Sequence, residues 1–315
     1  MPTAQCHGEM ILQYGKYDHT RFRRFSHVPH TVPTRRFPMP RALFLILAAA
    51  PLAAPAQTPA ARMMPDGSKD MYIGLAAANA PRYRGADERE TRPAALLQVQ
   101  WSNGVFLSGL SMGMHLTEGP AVEFGPLLAI EPGRSANGRQ KLSGVGGIDM
   151  PGITTGAVSP STGQILRFTD IRSTVGAGAF FHHYLDESLR LTGNFLYGVG
   201  ENHNGLLLNA GIQKSFAPAA HHRLSLSAGM TWANRRYTQE WFGVDPVASG
   251  STISYTPGSG VRDVQLTLNW NWELSHLWLL TSQLSATRLM GPAADSPYVE
   301  RRNGLSVRTG LAYRF

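Results

Sequence analysis

Beyond residue 70, hydrophobic and polar positions alternate with a period of two, in segments of strand length separated by turn residues. The pattern is plain in residues 305–315, where Leu, Val, Thr, Leu, Tyr and Phe take the odd positions and Ser, Arg, Gly, Ala and Arg the even ones. It recurs in 262–274, with Val264, Leu266, Leu268, Trp270, Trp272 and Leu274 on one face. Asp263, Gln265, Thr267, Asn269, Asn271 and Glu273 occupy the other face. An apolar stripe ending in two tryptophans, opposite a polar face, fits a strand that shows one side to lipid and the other to a lumen. A half-buried strand of a soluble sandwich would alternate too.

Reading the whole chain this way predicts twelve strands: 70–79, 94–101, 105–115, 121–131, 142–150, 172–184, 189–199, 205–216, 222–232, 262–274, 277–290 and 305–315. Ten is the main alternative, because 142–150 alternates poorly. Connection lengths give an independent test. Long connections (80–93, 151–171, 233–261, 291–303) and short ones (102–104, 185–188, 217–221, 275–276) fall on opposite sides of such a sheet. On the long side 200–204 is short to medium, and the exception is 132–141, which is long for its side. A sandwich has no reason to sort its loops like this. The expected fold is therefore all-β: a transmembrane, antiparallel, up-and-down β-barrel. Such a barrel leaves no sheet edge unpaired in hydrocarbon. No helix is expected from residue 70 onward, and no apolar run is long enough for a helical span.

The start of the chain reads differently. Residues 1–38 carry several arginines without periodicity, and resemble an extension outside the native protein or a mis-assigned start. Residues 39–56 combine a basic flank, an apolar core and the small-residue site Ala54-Pro55-Ala56, the pattern of a cleavable secretory signal. Residues 57–69 are expected to be a disordered lead-in to a barrel domain at 70–315. Without residues 1–56 the net charge falls from +8 to +3, so the basic balance belongs largely to the leader and is poor support for a nucleic-acid partner. Cys6, the chain's single cysteine, lies in that leader, so the barrel has no thiol chemistry and no disulfide framework.

Catalytic signals are weak. His182-His183 and His221-His222 are sequence neighbours on strands, and neighbours on a strand point to opposite faces, so neither pair presents a joint base or metal site. His203 lies in a polar loop with no nucleophile near it in sequence. The glycines at 144–147 and 176–178 precede no helix and make no phosphate loop. No metal-binding motif, cofactor or catalytic residue is assigned, and a hydrolase is the least favoured class.

The long loops carry sharper motifs: Pro81-Arg-Tyr83-Arg-Gly85-Ala-Asp87, then Tyr237-Thr-Gln-Glu-Trp241-Phe242-Gly243-Val244, then Asp295-Ser296-Pro297-Tyr-Val299. With the ending Tyr313-Arg-Phe315, this ordered set resembles the MipA/OmpV family of outer-membrane proteins over residues 70–315. Ala86, Trp241 and Tyr298 stand where that family usually has Ser, Tyr and Ile, and 151–171 resembles an insertion. The resemblance implies a non-enzymatic barrel in the outer membrane of a Gram-negative bacterium. Outer-membrane lipid, lipopolysaccharide and the barrel assembly machinery would be its surroundings. It further implies a scaffold role, with a lytic transglycosylase and a murein synthase as partners. The alternative is a small pore or solute-response barrel. Tyr83, Gly85, Asp87, Phe242, Gly243, Asp295, Ser296 and Pro297 form the candidate binding cluster, with Asp87, Asp245 and Asp295 expected to pair with Arg82, Arg84, Arg236 or Arg301. A scaffold contact is expected on the short turns and on 132–141.

Overall fold

The computed structural model describes residues 71–118, 121–134, 144–145, 157–158, 165–199 and 205–315. The expected leader and lead-in segments lie outside the described residues. Sixteen strands run in the order β1 (Tyr72–Pro81), β2 (Arg89–Gln100), β3 (Val105–Ser108), β4 (Ser111–Met114), β5 (Thr117–Glu118), β6 (Val122–Glu131), β7 (Gly144–Val145), β8 (Ala157–Val158) and β9 (Ile165–Leu166). There follow β10 (Thr174–Tyr184), β11 (Leu189–Val199), β12 (Leu206–Ala219), β13 (His222–Ala233), β14 (Gly260–Glu273), β15 (Trp278–Leu289) and β16 (Asn303–Arg314). Twelve of these form one antiparallel ring: β1 to β4, β6, and β10 to β16. The ring closes where Tyr72 to Asn79 of β1 pair with Arg314 to Val307 of β16, while the other edge of β1 pairs with β2. The protein is a closed β-barrel.

Alternation sets the faces as expected. On β14, Leu266, Leu268 and Trp272 point outward and are exposed, while Asp263, Thr267 and Asn271 point inward and are buried. Outward Leu284, Val307 and Leu311 extend the apolar surface over β15 and β16. Trp270, Trp272, Trp278 and Tyr313 gather at the end of the barrel that also holds the short turns, with Trp278 edge-on to Tyr313 at 5.2 Å. This is the aromatic girdle of a lipid-facing wall. His222 stacks on both Trp270 and Trp272, while His221 occupies the tight turn with φ of 63°. His182 turns inward against Phe180.

Four expectations need correction. The stretch 105–115 is not one strand but a hairpin of two four-residue strands, β3 and β4, folded back at Gly109, whose φ is +57°. A glycine with an αL backbone permits a reversal there that period-2 reading does not reveal. Of 142–150, only Gly144–Val145 is among the described residues, and it pairs in parallel with Ala95 and Leu96 of β2 rather than antiparallel as a strand of the ring; the rest lies outside the described residues. The total of twelve stands, but with different members. As β6 pairs directly with β10, Pro132 begins on the same end as the other long loops. Residues 132–134 therefore lie on the loop end, not among the short turns, and 135–141 lie outside the described residues.

The loops also contain helices: α1 (Arg235–Phe242), α2 (Pro246–Ser249) and α3 (Gly291–Ala294). They are too short to show a sustained apolar period. Local caps start them. Asn234 accepts the N–H of Tyr237, and Asp245, followed by Pro246 at the first helical position, accepts those of Val247 and Ala248. Finally, the lumen is not uniformly polar. Tyr72, Ala76, Ala94, Leu96, Leu279 and Ala312 fill one side, and Phe106, Leu127, Ala129, Phe180 and Leu196 pack as a second cluster. Polar side chains line the face of β11 to β15, where Arg190 donates to Gln213 at 2.9 Å and Thr281 to Asn271 at 2.7 Å.

The outward stripe yields a direct test. Leu268 lies between Leu226 of β13 and Leu284 of β15, midway along the wall. We predict that Leu268→Arg costs about 2–4 kcal/mol in urea unfolding from bilayers. A change near zero would contradict a lipid-facing Leu268.

Candidate functional site

All three loop motifs meet over the barrel end opposite the short turns. Gly85 takes a φ of +101°, which favours glycine. Its carbonyl accepts the backbone N–H groups of Glu300 and Arg301 at 2.7 and 2.8 Å. A Cβ on Gly85 would meet Val299 at 2.8 Å, so the first and third motif loops lie in direct contact. Asp87 pairs with Arg301 at 2.7 Å, and its N–H donates to the Glu300 carboxylate at 2.9 Å. The second motif joins through Ser296, whose hydroxyl donates to the Phe242 carbonyl at 2.6 Å. Gly243 ends α1, with its N–H on the Gln239 carbonyl. Pro297 is half-buried in the third loop beside Ser296.

Burial divides these residues. Tyr83 lies in an apolar cluster with Ala86, Leu166, Phe168, Val244 and Tyr298. Phe242 lies in a second, with Leu207, Ala233, Tyr237, Leu289 and Ala293. Asp87 and Asp295 stay at the surface, each on an arginine. Of the expected pairings, Asp87 to Arg301 is present. Asp295 pairs instead with Arg302 at 3.0 Å, Asp245 caps α2, and Arg82 bonds Glu88. The motif residues thus bracket the loops into a plug.

Below this bracket lies a charged node that sequence reading missed. The Tyr237 hydroxyl accepts from Arg84 at 2.8 Å and from Arg262 at 2.9 Å, and donates to Glu131 at 2.6 Å. The plug is thereby bonded to wall strands β6 and β14. Arg262 is available because β14 carries a bulge: Thr231 faces Asp263 while Trp232 faces Val261, leaving Arg262 as the extra residue. Arg262 and Asp263 are consequently both buried, with Arg262 Nε on Asp263 Oδ2 at 2.5 Å. The only sequence clue was the coincidence of Arg and Asp at the head of an otherwise alternating strand. Burial pushes the Tyr237 phenol up to about 12, so it stays a neutral donor and acceptor over the ordinary pH range.

A second cation is held among aromatic rings, with the Glu240 carboxylate also favouring its charge. Arg134 is buried, its guanidinium carbon 4.3 Å from the centre of the Phe168 ring, 5.5 Å from Tyr298 and 5.6 Å from Trp241. Its Nη1 donates to the Trp241 carbonyl at 2.9 Å. Burial lowers its pKa to about 10, which leaves it charged near neutrality. Ring faces attract such a cation, and desolvation strengthens the attraction. Between plug and wall remains a cavity of about 20 Å³ lined by Glu131, Arg172, Tyr237, Glu240 and Trp241, room for about one water. Among the described residues, no group of three His, Cys, Asp or Glu side chains is arranged to hold a metal ion.

The node makes two predictions. Tyr237→Phe removes a hydroxyl bonded to three charged side chains, and should loosen the plug by about 1.5–3 kcal/mol per charged bond lost. Faster hydrogen exchange at 83–87 and 242–244, with wall amides unchanged, is the expected readout; unchanged exchange would mean the node does not hold the plug. An unfolded tyrosine ionises near pH 10. Because Tyr237 keeps its proton to about 12 when folded, its contribution is complete below pH 10 and falls as pH rises from 10 to 12. Subtracting the Tyr237→Phe absorbance titration from the native one should isolate a midpoint near 12. A midpoint near 10 would mean the phenol is solvated.

Comparison with known proteins gives three results. Among solved structures, the chain is similar to the translocator domain of autotransporter NalP from Neisseria meningitidis (TM-score 0.43, 12% identity, covering 79% of this chain and 90% of that one). It is also similar to the KdgM porin in complex with disordered oligogalacturonate (TM-score 0.40, 8% identity, 78% and 99%) and to a Pseudomonas aeruginosa FadL homologue (TM-score 0.36, 8% identity, 78% and 88%). A search of curated proteins finds no match. The family model described as MltA-interacting protein MipA matches residues 73–315, the entire barrel. The chain therefore belongs to the MipA family, and is an outer-membrane β-barrel protein.

Proposed function

We propose that this barrel is a non-enzymatic scaffold of the outer membrane, exported through the signal at 39–56, which holds a lytic transglycosylase and through it a murein synthase. The observation that carries this reading is the bracketed plug. Tyr237, Gly85 and Ser296 tie the described long loops to one another and to the wall, which favours a platform over an open conduit. The family description, MltA-interacting, supports a murein hydrolase as the partner. Such a partner works on the murein side. The contact is therefore assigned to the short-turn end, where Glu187 and His276 are exposed.

Glu187 follows Asp186, which braces its turn by accepting from Ser188 and Leu189, so substituting Glu187 leaves the turn intact. His276 is the exposed tip of the 274–277 turn. A second reading, a small pore or solute-response barrel, is favoured by the polar face of β11 to β15. In that reading Tyr83, Gly85, Asp87, Phe242, Gly243, Asp295, Ser296 and Pro297 would form its gate.

Two measurements separate the readings. Tagged full-length chain, captured from detergent-solubilised outer membrane, should recover a lytic transglycosylase, and Glu187→Ser with His276→Ser should reduce that recovery severalfold. In planar bilayers the native chain should give no stepwise conductance. Discrete steps, together with no transglycosylase recovered, would sink the scaffold and favour the pore.

A further inference from the structure

The lipid-facing wall is bounded differently at its two ends. At the short-turn end it finishes on Trp272, Trp278 and Tyr313, and the nearby cations have acidic partners: Arg223 with Glu273 at 3.7 Å and Lys214 with Asp186 at 3.6 Å. At the loop end the outward stripe of β15 finishes on Arg288, beyond Leu284 and Ala286. Trp278 and Arg288 are ten residue steps apart. At about 3.3 Å per residue and a tilt of roughly 40°, that interval spans about 25 Å, the height of the apolar band of such barrels. Arg288 therefore stands at the headgroup level of the leaflet on the loop side.

Arg288 is exposed, and it is paired across the sheet only with Val264 and Asn303. Among the described residues it has no acidic partner. The acids nearest in sequence and register are engaged elsewhere: Asp263 points inward onto Arg262, and Asp295 holds Arg302. Two further exposed arginines, Arg235 and Arg236, also without acidic partners among the described residues, open α1 at the loop end of β13, two strands from β15. They follow β13, whose last residue Ala233 pairs with Gly260, and a Cβ on Gly260 would lie 3.2 Å from Pro292, four residues beyond Arg288. A guanidinium at headgroup level without a protein counter-ion is free to attract a lipid anion. Its planar fork matches phosphate oxygens in a two-bond geometry.

We infer that Arg288, Arg235 and Arg236 form a binding site for the phosphate groups of a phosphorylated glycolipid in the leaflet on the loop side. The site lies at the loop-end rim over β13 to β15, where the exposed head of α1 meets the wall. It rests only on the chain being a membrane barrel, so it stands or falls independently of the scaffold reading.

The test uses the full chain folded in detergent, titrated with lipid A carrying both phosphates and with the same lipid dephosphorylated, and read by native mass spectrometry. The phosphorylated lipid should bind at least about tenfold more tightly, since each basic residue near an anionic surface adds to the attraction. R235Q/R236Q/R288Q should abolish the difference, and R288K should retain most of it. R288Q alone, which leaves every interstrand bond in place, should weaken binding in the same direction and covers the case in which the triple variant fails to fold. Equal affinity of native and R288Q chains for the two lipids would overturn the proposal. So would displacement of the lipid by excess inorganic phosphate, which would identify the site as one for a soluble anion.

Discussion

Everything in this protein depends on one constraint: in hydrocarbon, each backbone N–H and C=O needs a partner within the protein. The chain meets it by closing a ring, and the seam between β1 and β16 completes it. Once the ring closes, the period-2 alternation of side chains leaves each wall residue only two destinations. Leu266, Leu268 and Leu284 face lipid because Thr267, Asn269 and Gln283 face the lumen. The short hairpin of β3 and β4 is the wall's chief irregularity, and it determines which later connections lie at which end.

The closed wall in turn creates the setting for the plug. Inside it, charges are shielded from bulk water, so each must be matched locally or carry a large penalty. Two solutions appear side by side. Arg262 is matched by Asp263 and by Tyr237, which also bonds Arg84 and Glu131, so one neutral phenol mediates among three ionised side chains. Arg134 instead lies among aromatic rings. The family motifs act one layer above, where a left-handed glycine, a serine hydroxyl and a surface ion pair hold three loops in mutual register. A barrel closed in this way is suited to presenting its two rims to partners and lipid.

Much of this was legible in the chain. Strand segments from 172 onward, the lipid-facing stripe of β14, and the end at which the long loops gather follow from periodicity and connection length. The motif residues were recognisable as a set, and the structure brings all three motifs together. Less legible was what they do there. Tyr83 and Phe242 carry no signal separating a buried bracket from an exposed ligand contact, because both are aromatic residues in polar loops. Upstream, 105–115 misled because the reversal at Gly109 leaves the alternation intact, and the lumen misled for another reason. Strands β1, β2 and β6 place alanine and leucine on both faces, which blurs alternation and conceals the apolar fill of the lumen.

The sequence by itself determined the class of fold and the two faces of most strands, because both depend on local periodicity and on the cost of exposing backbone to lipid. Tertiary structure alone decided that Gly109 reverses the chain, that 144–145 lies against β2, and that a bulge turns Arg262 inward beside Asp263. It alone joined Tyr237 to Glu131, more than a hundred residues away in the chain. Such choices rest on register and on the matching of buried charges between distant strands. No local pattern encodes either.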